Sequence, residues 1–496
     1  MGLGDEQIYE ELKSVLFTDN AISSEAAAIA MGLVMLGSGS ESSAHDMFTY
    51  AQETQHETII RGLAIGIALI SYGKEDSAED IIEKLLGHQD SILRYGGCFT
   101  LALAYCGTSN NSAIQRLLHI AVSDSSDNVR RAAVLSLGFV LLRDFSTVPT
   151  IVELLSQSHN PHVRYGTTMA LGISCAGRGL QAALDVLEPL LKDPVDFVRQ
   201  GATIAKSMIL IQQNENTHPK VKEFRASLRK IVSNKYEESL AKFGGAIAQG
   251  ILDAGGRNST IQLENTQTNT LNMKAIVGLT LFTQSWYWFP LSHFFALSLS
   301  PTSIIGVTDN LKAPKFNINC HTKPDFFGYP PKAEAQVEKQ AEKIATAVLS
   351  TTARAKARAA KKDKTVKKED KMDIDEPSTT EKENTKESKG DEISNVELQD
   401  SQYKSLYVKE PYQFQNMTRV LPAQLKYVTF SKHERFVPVR KFKGMSGIVV
   451  LNDQSPGKSF DRIKTIREKG NTEAPLPDPF TIDPVLDKEL FENDNE

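Results

Sequence analysis

Gly166-Thr167-Thr168-Met169-Ala170-Leu171-Gly172-Ile173-Ser174-Cys175-Ala176-Gly177 reads as one helix closed by a glycine just past its C-terminus. It is apolar almost all round, so it must be buried on nearly every side. The same small-residue pattern returns seven times, anchored on Ala26, Gly62, Gly96, Ala132, Gly166, Gly201 and Gly244, with first intervals of 36, 34, 36, 34 and 35 residues. Six residues past each anchor stand Gly32, Ala68, Ala102, Gly138, Gly172, Ser207 and Gly250. Eleven past it stand Gly37, Gly73, Gly107, Arg143, Gly177, Gln212 and Gly255. Self-similarity at this period marks a helical repeat array, an architecture built to be a surface. A mid-helix glycine costs about 0.5–1 kcal/mol relative to alanine, so its recurrence needs a compensating gain. An offset of six, at about 100° per residue, turns to a different helix face. Close approach by two neighbours follows, with Gly62, Gly96, Gly138, Gly166, Gly172, Gly201, Gly244 and Gly250 as the packing positions.

Between these helices, residues 78–86, 114–122, 148–155 and 182–191 place apolar residues three and four apart among polar ones, the pattern of half-exposed outer helices. Each is followed by a turn with a capping residue, Asp90, Asp127, Asn160 or Asp193, and then an arginine, Arg94, Arg130, Arg164 or Arg199. The acids and Asn160 suit free helix N–H groups, and Pro161 and Pro194 suit a first helical position. An arginine that close to a helix start opposes the dipole, so each is expected to reach a carboxylate or carbonyl of the adjacent repeat.

The units Arg61-Gly62-Leu63-Ala64-Ile65-Gly66-Ile67-Ala68-Leu69-Ile70-Ser71-Tyr72-Gly73 and 164–177 resemble the proteasome/cyclosome (PC) repeat. That repeat occurs in two large non-ATPase subunits of the proteasome regulatory particle and in a subunit of the anaphase-promoting complex. Trp286-Tyr287-Trp288-Phe289-Pro290-Leu291-Ser292-His293-Phe294, Pro301-Thr302, Leu311-Lys312-Ala313-Pro314-Lys315 and Leu421-Pro422-Ala423-Gln424-Leu425-Lys426 resemble the carboxy-terminal domain of one of these subunit families. The resemblance implies a mainly α fold with a β domain: an α-helical, HEAT-like PC-repeat toroid or solenoid, then a β-sandwich-like C-terminal domain with a disordered insertion. It implies a non-catalytic scaffold in a large hetero-oligomer of the cytoplasm and nucleus, with regulatory ATPases and lid subunits as partners. It also implies a longer chain, since Met1-Gly2-Leu3-Gly4 reads as entry partway through a unit. In the family the tail docks a ubiquitin receptor through Pro-Phe followed by acids. Here those positions are Pro479 and Phe480, with Phe491, Glu492 and Asp494 beyond them.

The expected division is 1–256 for the repeats, 257–331 and 403–474 for two parts of the β domain, 332–402 for the insertion and 475–496 for an acidic tail. Within the β domain, 276–282 and 303–307 read as strands, as do 428–430, 436–439 and 447–451, while 286–289 would form an aromatic core or touch the last repeats. The insertion is rich in Lys, Glu, Ala, Asp and Ser and too poor in apolar residues to offset chain entropy. Its basic block, Arg354 to Lys368, followed by acids from Asp370, suits an import signal, a contact to an acidic surface, or simply a solvated insertion.

A net charge of −5 is not that of a dedicated nucleic-acid binder, and neither nucleic acid nor membrane is an expected partner. The four cysteines, Cys98, Cys106, Cys175 and Cys320, lack metal or disulfide spacing, which points to a reducing compartment. Asp5, Glu6, Glu10 and Glu11 stand where a signal peptide would be basic and apolar. No phosphate loop, nucleophile elbow or zinc motif is present; His119, His159 and His162 are expected at helix ends or turns. Enzymatic, cofactor and metal roles are not expected. Against the scaffold stands a HEAT or armadillo-like transport adaptor holding a cargo peptide, and more distantly a hydrolase of ubiquitin conjugates. The small-residue inner helices leave few polar groups to line a cargo groove, and no Cys-His pair supports the hydrolase.

Overall fold

The computed structural model describes residues 1–215, 218–256, 258–265, 270–324, 407–425, 427–431, 434–440 and 446–463. Seven helix pairs come first: α1 (Glu6–Leu16) and α2 (Ala21–Val34), α3 (Glu41–Glu53) and α4 (Glu57–Ile70), α5 (Glu79–Leu86) and α6 (Ser91–Ala104), α7 (Asn111–Ser123) and α8 (Asp127–Val140), α9 (Val148–Ser156) and α10 (Pro161–Ser174), α11 (Gln181–Leu190) and α12 (Asp196–Leu210), α13 (Lys220–Ser233) and α14 (Ser239–Gly256). The even-numbered helices carry the anchors and pack each on the next. In α4, α6, α8, α10 and α12 every residue from the anchor to the C-terminus is buried.

Small residues set how closely these helices approach. A Cβ on Gly62 would lie 2.9 Å from Glu25 O, one on Gly166 2.9 Å from Arg131 O, and one on Gly244 2.9 Å from Gln200 Cα. Gly96 meets Ala64, and Gly201 meets Thr168 and Tyr165, in the same way. These anchors all face the preceding inner helix. The six-later glycines face the following one: a Cβ on Gly138 would lie 2.7 Å from Ala170 O, and one on Gly172 2.9 Å from Ala205 Cα. Gly250 departs from the expectation, because a Cβ there meets nothing within 4 Å. It lies on α14, the last helix of the series, where no further inner helix follows. Gly250→Ala is therefore expected to stabilise by about 0.5–1 kcal/mol through helix propensity alone, read as a higher denaturation midpoint.

The closing glycines do more than end helices. Gly37, Gly73, Gly107 and Gly177 have φ of +65°, +68°, +66° and +71°, and Gln212 takes the same conformation at +68°. Their N–H groups point into the next repeat: Gly37 donates to Leu69 O (3.0 Å), Gly73 to Leu103 O (3.0 Å), Gly107 to Phe139 O (2.9 Å) and Gly177 to Met208 O (2.8 Å). A second donor follows two residues on, with Gly39, Ser109 and Gly179 bonding Ile70, Val140 and Ile209. Terminal carbonyls that a helix cannot satisfy itself are thus capped by the preceding unit. Gly2 and Gly4 form the same turn against Leu33 and Val34. Gly255 instead lies inside α14.

The turn arginines bind across repeats. Arg94 holds Asp124 through Nε (2.8 Å) and Nη2 (3.1 Å), Arg164 holds Asp193 at 2.7 and 3.0 Å, and Arg199 reaches Glu237 at 2.9 Å. Arg130 stays local, on Asp124 O and Asp127. Burial alone would raise the Asp124 carboxyl, but Arg94 and the Ser126 N–H hold it below its ordinary value. Asp90 and Asn160 cap α6 and α10 as their spacing predicts. Asp127 and Asp193 do not: Ser126 and Val195 occupy those cap positions. Asp193 is instead taken by Arg164 and the Val195 N–H, which also leaves Pro194 outside the helix.

Residues 276–282 are not a strand. They lie in α15 (Met273–Thr283), an apolar helix buried from Ala275 onward in the same core as the inner helices. Leu271, just before it, packs near Gly107, and Gln284, at its end, accepts from the Tyr95 hydroxyl at 2.8 Å. α15 therefore runs antiparallel to α6, from the glycine turns to the helix starts. A 3₁₀ segment, Phe289–Ser298, returns along it, with Gly278 of α15 against Leu297 and Phe294. No helix is long and apolar enough to cross a membrane among the described residues.

The strands are β1 (Ser259–Ile261), β2 (Glu264–Asn265), β3 (Thr270–Leu271), β4 (Leu299–Pro301), β5 (Ser303–Thr308), β6 (Asn317–Thr322), β7 (Tyr407–Gln415), β8 (Thr418–Arg419), β9 (Val428–Thr429), β10 (Phe436–Pro438) and β11 (Gly447–Asp453). β1 pairs with β4, and β2 with β3. One sheet has the order β10-β11-β5-β8, with β11 parallel to β5, and another β7-β6-β9. Ile304, Phe316, Ile318, Val428, Phe436 and Leu451 from both sheets share one core, the sandwich arrangement expected. Buried Asn416 ties its parts, donating to Gly306 O (2.9 Å) and Pro314 O (2.8 Å) and accepting from Gly306 N (2.7 Å).

Candidate functional site

The residue just before each anchor forms a row at the starts of the inner helices: Glu25, Arg61, Tyr95, Arg131, Tyr165, Gln200 and Phe243. Five of these grip the segment that follows α15. The Arg61 guanidinium stands 3.8 Å over the Tyr287 ring and that of Arg131 4.0 Å over Trp286. Arg131 also donates to the Tyr287 hydroxyl at 2.7 Å. Tyr95 meets Tyr287 edge-on at 5.8 Å, Tyr165 meets Trp286 at 4.9 Å and Phe243 meets Phe289 at 5.5 Å. The aromatic segment thus contacts units from α4 to α14, not only the last repeats.

Electrostatics here follow from burial. Arg131 is 3 % exposed, and among the described residues its charge is met by rings and a hydroxyl rather than by an acid. Cation–π contact of this kind, desolvated, contributes about 2 kcal/mol. Burial lifts the Glu25 carboxyl above its ordinary value, against the pull of Arg61. His162, expected at a capping or exposed position, is packed instead between Phe197 (5.1 Å) and Trp286 (6.2 Å). Burial lowers its pKa, Arg131 lowers it further, and Asp127 opposes them. His218 is lowered by burial, then by Lys220 and Lys206, against Asp185.

Both imidazoles are therefore more easily protonated in the unfolded chain, whose histidines titrate near about 6.5. Their stabilising contribution is complete above that pH and is lost as pH falls below it. The midpoint of thermal unfolding is expected to drop between pH 7 and 5, and less steeply in His162→Phe, as differential scanning calorimetry would read.

Cys98, Cys106 and Cys175 are buried within the repeats. Burial pushes the Cys106 and Cys175 thiols up to about 12 and about 11, and raises Cys98 further. No group of three or more His, Cys, Asp or Glu that could hold a metal occurs among the described residues. The tail positions Pro479, Phe480, Phe491, Glu492 and Asp494, and the insertion 332–402, lie outside the described residues.

Comparison with known proteins places this architecture. Residues 302–463 match the 26S proteasome regulatory subunit RPN2 C-terminal domain, 114–206 match HEAT repeats and 26–60 the proteasome/cyclosome repeat. The chain is 56 % identical over 494 residues to the 26S proteasome regulatory subunit RPN2 of Saccharomyces cerevisiae, covering 98 % of this chain and 52 % of that one. It is 48 % identical to the Schizosaccharomyces pombe subunit of the same name, over 97 % of this chain and 51 % of that one. It is also 48 % identical to the 26S proteasome non-ATPase regulatory subunit 1 homolog A of Arabidopsis thaliana, over 91 % and 45 %. The chain spans about half the length of the curated relatives it matches. Across that shared length, repeats, aromatic segment and sandwich together, the chain is similar to proteins named 26S proteasome regulatory subunit RPN2 and 26S proteasome non-ATPase regulatory subunit 1.

Proposed function

We propose that this chain is a non-catalytic scaffold portion of the proteasome regulatory particle, serving ubiquitin-dependent protein degradation by placing other subunits. The observation that carries this is identity of 56 % across 98 % of the chain to a protein named as such a regulatory subunit. Its partners in this reading are the regulatory ATPases and lid subunits, together with a ubiquitin receptor held by the tail at Pro479 and Phe480, within the cytoplasm and nucleus. Placement works by raising the effective concentration of a tethered substrate near the unfolding machinery. A transport adaptor fits less well, because α15 and Trp286–Tyr287 fill the face of the inner helices against which a cargo peptide would lie.

The test is affinity capture of the tagged chain from a eukaryotic lysate beside a version ending at Ala474, with mass spectrometry of what co-purifies. The expected result is proteasome ATPases with both and a ubiquitin receptor only with the full chain. Recovery of import or cargo factors without proteasome subunits would overturn the scaffold reading.

A further inference from the structure

The four-stranded sheet is apolar on both faces. Its inner face carries Ile304, Val449, Leu451 and Phe436, all buried. Its outer face carries another set, fixed by register: Ile448 lies beside Ile305 and Val450 beside Val307 across the β5–β11 pair. Val439, whose N–H donates to Val450 O, extends the second row, and Val437 stands opposite Asn452. Ile448, Val439 and Val450 are 68, 63 and 50 % exposed. Side chains of this kind alternate with polar ones when a sheet face meets water, and a contiguous exposed aliphatic patch marks a docking surface.

Basic side chains stand at both ends of this face. Exposed Arg440 follows Val439 on antiparallel β10 and so lies toward the Ile448 end, while exposed Lys312 closes the turn after β5 at the opposite end, where exposed Arg462 lies beside Pro314. Asp309 and Asp461 stand at the Lys312 end as well. The chain leaves the described part at the Lys312 end, where the Ile463 N–H donates to Ala313 O at 3.1 Å. Eleven residues further on begins a segment that carries Leu476, Phe480, Ile482 and Leu486 among Asp478, Asp483, Asp487 and Glu489. Eleven residues reach about 36 Å when extended, and a tether of that length supplies an effective concentration of about millimolar order. A weak intrinsic contact suffices at that concentration.

We propose that residues 475–491 dock in cis on the outer face of the four-stranded sheet, apolar side chains on Ile448, Val450 and Val439 and carboxylates toward Arg440 and Lys312. The tail then has a resting place on its own domain, whichever partner it serves. Hydrogen–deuterium exchange of the full chain tests this against the variant I448D/V450D, which places like charge on an exposed face. Amides of 475–491 are expected to exchange at least about tenfold slower in the unsubstituted chain, with the inner helices equally protected in both. Equal, unprotected exchange of the tail in both proteins would overturn the proposal. So would sedimentation showing a dimer that the variant dissolves, since a second copy would then cover the face. Protection of β11 only when a partner subunit is added would overturn it as well.

Discussion

Gly138→Val is expected to destabilise the array by about 3 kcal/mol or more, because overpacking costs about 1–3 kcal/mol even where side chains can yield. Here the obstacle is main chain. A Cβ at this position would stand 2.7 Å from Ala170 O and 2.8 Å from Ala170 Cα, so α8 and α10 must separate before it fits. For a cooperative unit of about 150–250 residues each kcal/mol moves the melting point by about 2–4 °C, so a fall of about 6–12 °C is the reading in a thermal scan. An unchanged midpoint would show that the close approach is not what the glycine is for. Gly250→Ala, on the same kind of helix but facing open space, is the control.

Trp286→Ala is expected to cost about 3–4 kcal/mol, somewhat less than the upper range for a fully buried aromatic, since Trp286 is half-buried. The loss has two parts: the packing of Tyr165, Phe197 and His162 against the indole, and the buried Arg131 charge left with one ring fewer. Trp286→Phe keeps an aromatic face and should recover most of the first part. Pairing Trp286→Ala with Arg131→Met in a double-mutant cycle should return a coupling of about 1–2 kcal/mol. Denaturant unfolding followed by circular dichroism measures all four corners. Strict additivity would mean that Arg131 and Trp286 are neighbours without being partners.

The repeats were legible because one constraint recurs at one spacing: only a small residue fits where two helices touch, so the anchors and their six-later partners stand out without a structure. The strands of the sandwich were legible where β-branched residues clustered, as in β5 and β11. β6 and β7 were not. β7 carries Lys409, Glu410 and Pro411, which an edge strand tolerates but propensity does not advertise. The run inside α15 was misread because seven residues, all but Thr280 apolar and three of them β-branched, look alike as a buried strand and a buried helix. Its surroundings, inner helices on one side and the 3₁₀ return on another, decide the matter, and those are tertiary.

The gripping row was present in the sequence but invisible as a motif. Glu25, Arg61, Tyr95, Arg131, Tyr165, Gln200 and Phe243 share a period and nothing else. The five that meet the segment do so with different groups, Arg61 and Arg131 through guanidiniums and Tyr95, Tyr165 and Phe243 through rings, so the position repeats while the chemistry does not. A search by place in the unit rather than by residue type would have found it. The histidine misassignment has the same source, since His162 sits near a helix start yet is claimed by Trp286, more than a hundred residues later in the chain.

The caps donated from each unit to the next have an evolutionary corollary. A whole unit can be lost or duplicated and the flanking turns still find carbonyls to close, because the turns at Gly2, Gly37, Gly107 and Gly177 offer the same pair of donors at the same place. A gain or loss of any other length leaves one helix end open and one turn idle. Arrays of this type should therefore change size in whole-unit steps, while each unit's gripping residue drifts to suit whatever new stretch of the central segment it comes to face.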